Sequence, residues 1–213
     1  MNILAISDIH GRINYEAKVL DTLTHADLVV ICGDITNFGG NKEAIEVLNA
    51  IRGFNSNTLA IPGNCDRLEV LDVLRLEKIS LHGEMKEYRG VIFFGIGGSG
   101  HTPFNTPQEY SDYEIKEILK KYKRKDGIQV FVSHTPPINT RVDKTLMGLH
   151  AGSKLIREFI EMYQPDLCLC GHIHEARNSD HIGKTIIVNP GPFPKNFARI
   201  SITDKIDVEL LTA

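Results

Sequence analysis

Five apolar runs in this chain each end on residues able to hold a cation, and that repetition limits the fold more than any other feature of the sequence. The first, Asn2-Ile-Leu-Ala-Ile-Ser, leads into Asp8-Ile-His10-Gly11. An unbroken apolar run rich in β-branched residues reads as a strand buried on both faces. The others end at Gly33-Asp34, Gly63-Asn64, Ser133-His134 and Gly171-His172-Ile-His174. Helical periods separate the early runs: Ala17, Leu20 and Leu23 within residues 14–24, Ile45, Leu48 and Ile51 within 42–51, and a short helix over 67–76. This alternation predicts βαβ units and an α/β fold with a largely parallel sheet. The carboxyl ends of such strands share one edge, where open α/β sheets keep their sites.

Further along, residues 85–88 and 91–96 predict a hairpin around Arg89-Gly90. A helix is expected over 111–125, its apolar stripe beginning at Tyr113 and the basic run 120–125 filling its last turns, with Glu117 facing Lys121. Cations there suit the helix dipole, so the run is a solvated helix end rather than a nucleic-acid patch. Gly97-Gly98-Ser99-Gly100-His101 follows a strand but lacks the Gly-Lys-Ser/Thr ending of a phosphate-cradling loop, and is expected to be a flexible loop near the site. Residues 138–150 have no period and read as a loop or lid. A helix follows to about residue 163, then a strand over 166–170. The tail predicts antiparallel strands over 184–188, 198–203 and 205–211. Without an internal repeat or a linker, residues 1–213 are expected to form a single domain.

Composition narrows the function. A net charge of −3 disfavours an extended nucleic-acid footprint. No apolar stretch approaches the roughly eighteen residues of a membrane span, so no membrane association is expected. The N-terminus lacks a basic n-region, which argues against a cleaved signal peptide. Four cysteines, two of them alternating at Cys168 and Cys170, predict buried thiols in a reducing, cytoplasmic setting.

Taken singly, each strand-end residue has an ordinary explanation: Asp8 as a helix cap, Asp34 and Asn64 as turn residues, His134 as a polar strand terminus. Taken together, Asp8, His10, Asp34, Asn64, His134, His172 and His174 converge on one edge. Seven oxygen and imidazole donors exceed what one ion needs and suit two ions sharing a carboxylate, roughly 3.5–4 Å apart. Such a set without thiolate favours manganese, iron, nickel or zinc over calcium and does not choose among them. A structural zinc site of Cys168, Cys170, His172 and His174 is disfavoured. In an extended strand its outer members would stand on the order of 20 Å apart.

The motifs Asp8-x-His10, Gly33-Asp34, Gly63-Asn64-Cys65-Asp66, His134 and Gly171-His172-x-His174, in this order, resemble the calcineurin-like metallophosphoesterases. The resemblance implies a four-layer αββα sandwich of two mixed sheets flanked by helices. It implies one metal on Asp8, His10, Asp34 and His174, and a second on Asp34, Asn64, His134 and His172, so that Asp34 bridges them. It further implies attack on a small phosphodiester by a hydroxide bridging the two ions. Two divalent ions less two carboxylates and a hydroxide leave about +1 to draw an anionic diester. Most of the family has a histidine where this chain has Cys65, oriented by the acid at Asp66. The Gly-Asn-Cys-Asp variant resembles small bacterial and archaeal phosphodiesterases. Since a thiol is a poorer proton donor, diesters with good leaving groups are expected, with His101 or His150 as stand-in donors. Asn64, His101, His150, Arg12, Arg67 and Arg141 are candidate substrate contacts. Asn37 and the missing Asp-Arg-Gly continuation set the chain apart from purple acid phosphatases and protein Ser/Thr phosphatases. The alternatives are a phosphomonoesterase and a non-catalytic scaffold on the same fold. A small phosphorylated substrate is the expected partner.

Overall fold

Two sheets lie face to face, and the computed structural model describes them over residues 1–213. The first sheet has the order β11-β10-β1-β2-β3. Its parallel part is β1 (Asn2–Ile6), β2 (Leu28–Cys32) and β3 (Thr58–Ile61), and the antiparallel pair β10 (Asn196–Ile202) and β11 (Ile206–Thr212) extends it. The second sheet runs β4-β5-β6-β7-β9-β8. Here β5 (Val91–Ile96), β6 (Gln129–Ser133), β7 (Leu167–Leu169) and β9 (Thr185–Asn189) are parallel, with β4 (Met85–Tyr88) and β8 (Asn178–Ile182) antiparallel at the edges.

Alternation along the strands builds the layers. Leu4 and Ile6 of β1 face outward onto α1 (Ala17–His25), α2 (Asn41–Arg52) and α3 (Leu68–Leu76), meeting Val19, Leu23, Val47, Leu48 and Leu74. Ile3 and Ala5 face inward and pack with Val30 against Phe93, Val132 and Leu169 of the second sheet. Phe94, Phe131 and Cys168 point away again, onto Ile115, Ile118, Phe159 and Ile160 of α4 (Asp112–Leu119) and α5 (Lys154–Tyr163). Helix, sheet, sheet, helix is the four-layer αββα arrangement. Each large apolar side chain buried in it contributes roughly 1.5–3 kcal/mol.

Several local expectations change. On α2 the buried face is Ala44, Val47, Leu48 and Ile51, leaving Ile45 46% exposed. Helix α4 ends at Leu119, so the basic run lies beyond it. Tyr113 is exposed, Ile115 and Ile118 anchor the helix, and Glu117 pairs with Lys120 rather than Lys121. Strand β8, Asn-Ser-Asp-His-Ile, is too polar to announce itself as a strand, yet it pairs with β9 along its whole length. The stretch 138–150 holds a short 3-10 turn at Arg141–Asp143 and a hairpin closed by the Lys144–His150 bridge. The glycine-rich loop is held rather than free. Gly97, Gly98 and Ser99 are buried, Gly98 N donates to Pro62 O at 3.0 Å, and Ser99 N donates to Gln108 O at 3.1 Å. Cys168 and Cys170 sit in the outer core, away from the two histidines that follow them.

Candidate metal centre

The carboxyl ends of β1, β2 and β3 meet those of β6 and β7, and the polar residues leaving each strand turn toward one another. The turns are sharp. Asp8, His10, Asp34 and His172 all adopt left-handed backbone, with φ of 55°, 47°, 49° and 69°. Side chains other than glycine adopt this region at a penalty of about 1–3 kcal/mol each, and such residues cluster at functional sites. The backbone holds them there: Asp8 N donates to Gly33 O and His10 N to Asp34 O, both at 3.0 Å. Gly33 is required by closeness as well as by its φ of +100°, because a Cβ there would stand 2.4 Å from His134 Nδ1. At Gly171 a Cβ would stand 1.8 Å from Ser7 Oγ.

Asp34 occupies the centre. Its Oδ2 lies 3.7 Å from His10 Nε2 and its Oδ1 lies 3.4 Å from His134 Nε2. On the His10 side, His174 Nε2 stands 3.3 Å from His10 Nε2 and 3.4 Å from Asp8 Oδ1. On the other side, Asn64 Oδ1 is 2.9 Å from His134 Nε2, and the His172 ring lies 5.0 Å from the His134 ring. Asp8 accepts from His172 N at 3.1 Å and links the two halves. All seven donors read from the sequence are therefore brought to one place. Two trios among them, Asp8–His10–His174 and Asp8–Asp34–His134, each have ligand atoms within 4.8 Å of one another, the second spanning both proposed sets.

These groups fit divalent cations. His134 directs Nδ1 to Cys32 O at 2.8 Å, which fixes the proton on that nitrogen and leaves Nε2 to act as a donor toward a metal. Burial opposes ionisation of Asp34, but His134, the Cys65 N–H and His10 together hold its carboxyl well below its ordinary range. Burial likewise works against a charged His134, yet Asp34 prevails and raises that imidazole to about 9. His172 is pushed down to about 4 by burial and then by His134. Burial also lowers His10, whereas the Asp8 hydrogen bond raises His174. So dense a set of mutually shifted groups is the electrostatics of a functional site.

The remaining candidates separate. Cys65 is buried, and burial and then Asp34 push its thiol pKa up. Asp66 does not act as an orienting acid through a hydrogen bond to Cys65, although its charge acts on Asp34 and Cys65. It is fully buried and accepts from Gly63 N, Ile35 N, Thr36 N and Thr36 Oγ1 at 2.7–3.0 Å, tying the β2 exit to the β3 exit. A crevice of about 450 Å³ opens beside His172, lined among others by His101, Lys116, Ser153 and Lys154. His101 thus reaches the site's rim, where it pairs with Glu109 at 3.6 Å. His150 is outside that lining, although Ala151 to Leu155 belong to it; its Nδ1 is 2.7 Å from Asp143 Oδ1. Arg12 instead borders a separate hollow with Asn14, Glu16 and Lys195. Arg67 is an exposed residue at the head of α3, and Arg141 lies on the 3-10 turn against β8. Asp143 was missed by the sequence reading. It is fully buried, and its second oxygen accepts from Asn139 N at 3.1 Å and Gly152 N at 3.0 Å, organising the 138–152 loop. The pattern Thr140-x-x-Asp143 was its only signal.

A two-sheet sandwich with a cluster of potential cation ligands at its strand ends is the architecture of a metal-dependent phosphoesterase class, and a family match assigns the chain to it. Residues 1–176 match the family model of the calcineurin-like phosphoesterases, and the chain belongs to that family. A Methanocaldococcus jannaschii protein, described as uncharacterized protein MJ1162, is 43% identical over 197 residues, covering 90% of this chain and 88% of its own. A "probable cyclic nucleotide phosphodiesterase" of Xenorhabdus bovienii is 24% identical over 218 residues, covering 89% of this chain and 85% of its own. The crystal structure of TT1561 from Thermus thermophilus superposes with a TM-score of 0.74 at 20% identity, covering 99% of this chain and 98% of that one. That likeness is one of fold.

Proposed function

We propose that this phosphoesterase is a dinuclear phosphodiesterase acting on a small phosphorylated substrate. The observation that carries the reading is Asp34, whose two oxygens face two different imidazole groups, His10 and His134. In it, Asp8, His10, Asp34 and His174 would hold one ion, and Asp34, Asn64, His134 and His172 the other. When bound, two divalent ions neutralise charge on a phosphoryl group and lower the pKa of water. The chain's own residues do the rest. Asp8 and Asp34 offset part of the cationic charge, so the site attracts a singly charged diester without trapping it. His101, Lys116 and Lys154 line the crevice beside His172 and meet the substrate's anionic or polar remainder. A volume of about 450 Å³ suits a small molecule. The similarity to the Xenorhabdus protein supports a diester over a monoester. No helix is long and apolar enough to cross a membrane. With four free buried thiols, a reducing compartment such as the cytoplasm is the proposed location.

The test compares a chromogenic phosphodiester with its monoester counterpart in the presence of manganese, with chelator and Asp34→Asn as controls. The proposal expects faster diester hydrolysis, lost on chelation and reduced at least about a thousandfold in the variant. Faster monoester turnover would move the assignment to a phosphomonoesterase. Absence of any metal-dependent hydrolysis would favour a scaffold.

A further inference from the structure

The donors read from the strand ends are oxygens and imidazoles, and the structure adds a sulfur to them. Cys65 Sγ, a His10 ring nitrogen and an Asp34 carboxylate oxygen lie within 4.8 Å of one another. Donors that share one ion at bond lengths of about 2.0–2.3 Å stand no more than about 4.6 Å apart. The trio is therefore within a small side-chain adjustment of a common cation. We propose that Cys65 is a sulfur ligand of the ion held by His10 and Asp34, and that it turns this position toward zinc, cobalt or ferrous iron rather than manganese. The proposal rests on the metal-centre reading above and adds a soft donor to it.

Three observations place the sulfur. Cys65 N donates to Asp34 Oδ1 at 2.8 Å, so the backbone that carries the thiol is tied to the bridging carboxylate itself. A cysteine has one side-chain rotor, which leaves Sγ few positions once the backbone is fixed. Asn64 faces both ways: its Oδ1 is 2.9 Å from His134 Nε2, and its Nδ2 is 3.7 Å from Cys65 Sγ. The other thiols serve packing. Cys32 lies in the core between the sheets, and Cys168 and Cys170 lie in the outer core under α4 and α5, all fully buried. On binding, the S–H bond breaks, the proton passes to solvent, and the electron pair left on sulfur is donated to the cation, with no change of oxidation state. Thiolate donors select softer ions from the divalent series. The competing explanation makes Cys65 a small filler beneath Asp34, and it predicts no bond between sulfur and metal.

Anaerobic titration of the metal-free, full-length protein with Co²⁺ distinguishes the two, read by absorption. The proposal expects visible ligand-field bands together with a near-ultraviolet sulfur-to-cobalt charge-transfer band. In Cys65→Ser and Cys65→Ala the visible bands persist, the near-ultraviolet band disappears, and preference for Zn²⁺ over Mn²⁺ in competition falls at least about tenfold. Visible bands without the near-ultraviolet band in the parent protein would overturn the sulfur ligand and leave the metal centre standing. A near-ultraviolet band that survives in both folded variants would overturn it too. No cobalt binding at all would overturn the metal-centre reading and the proposal with it.

Discussion

Asp34 and Asp66 are buried carboxylates one strand end apart, and their surroundings give them different tasks. Asp34 faces imidazoles and is held ionised; Asp66 faces backbone N–H groups, and burial followed by the Asp34 charge raises it to about 6. Asp66→Asn keeps the shape but turns an amide N–H toward donors that had a carboxylate. It is expected to destabilise the protein by about 1–3 kcal/mol in urea unfolding. An unchanged midpoint would show that Asp66 does not bolt the two turns together. His134 supplies a pH test. Its raised value, about 9, means that at neutral pH an incoming ion must displace a proton from Nε2. Affinity should therefore climb as pH rises toward 9, and calorimetry in buffers of different ionisation enthalpy should find more protons released at pH 7 than above about pH 9, where His134 no longer contributes. Release that does not vary with pH would contradict this. At this scale the sequence was informative where chemistry resides in a side chain, as at Asp8, His10 and His174. It was silent where chemistry resides in the backbone, as at the Cys32 carbonyl that orients His134.

At the level of elements, the turns leaving the strands matter more than the strands. Gly33 lets β2 end with Asp34 on one side and the His134 ring packed against its α-carbon. Gly33→Ala places a methyl 2.4 Å from His134 Nδ1 at a φ that alanine resists. The variant should lose metal affinity, by calorimetric titration, out of proportion to any loss of helicity; intact affinity would show that the β2 exit has slack. Strands buried on both faces were legible because nothing but an apolar run can fill them, as β2 and β6 show with five buried residues each. Amphipathic and edge elements were not. Helix α4 stops at Leu119 and passes into a turn that still carries Tyr122 into the same core as Ile115 and Ile118, although the lysines of that turn are good helix formers. Edge strand β8 takes its conformation from the hydrogen bonds of β9, and its own side chains carry no alternation to reveal it.

Across the whole molecule, the cluster is a joint between two sheets. Asp8, His10, Asp34 and Asn64 leave the first sheet, while His134, His172 and His174 leave the second. Pairwise contacts cross the joint at His134 to Cys32 and at His172 to Asp8, so a cation held there would bind the two halves of the sandwich together. The βαβ order and the shared edge of parallel strands made this convergence readable from the residues; the face-to-face seating of the sheets, set by Ile3, Val30, Phe93 and Val132, was readable only through the family resemblance. The claim that two ions flank Asp34 is tested most directly by anomalous scattering from crystals grown with manganese. The expected map has two peaks about 3.5–4 Å apart with the Asp34 carboxylate between them. A single peak, or peaks away from Asp34, would contradict it.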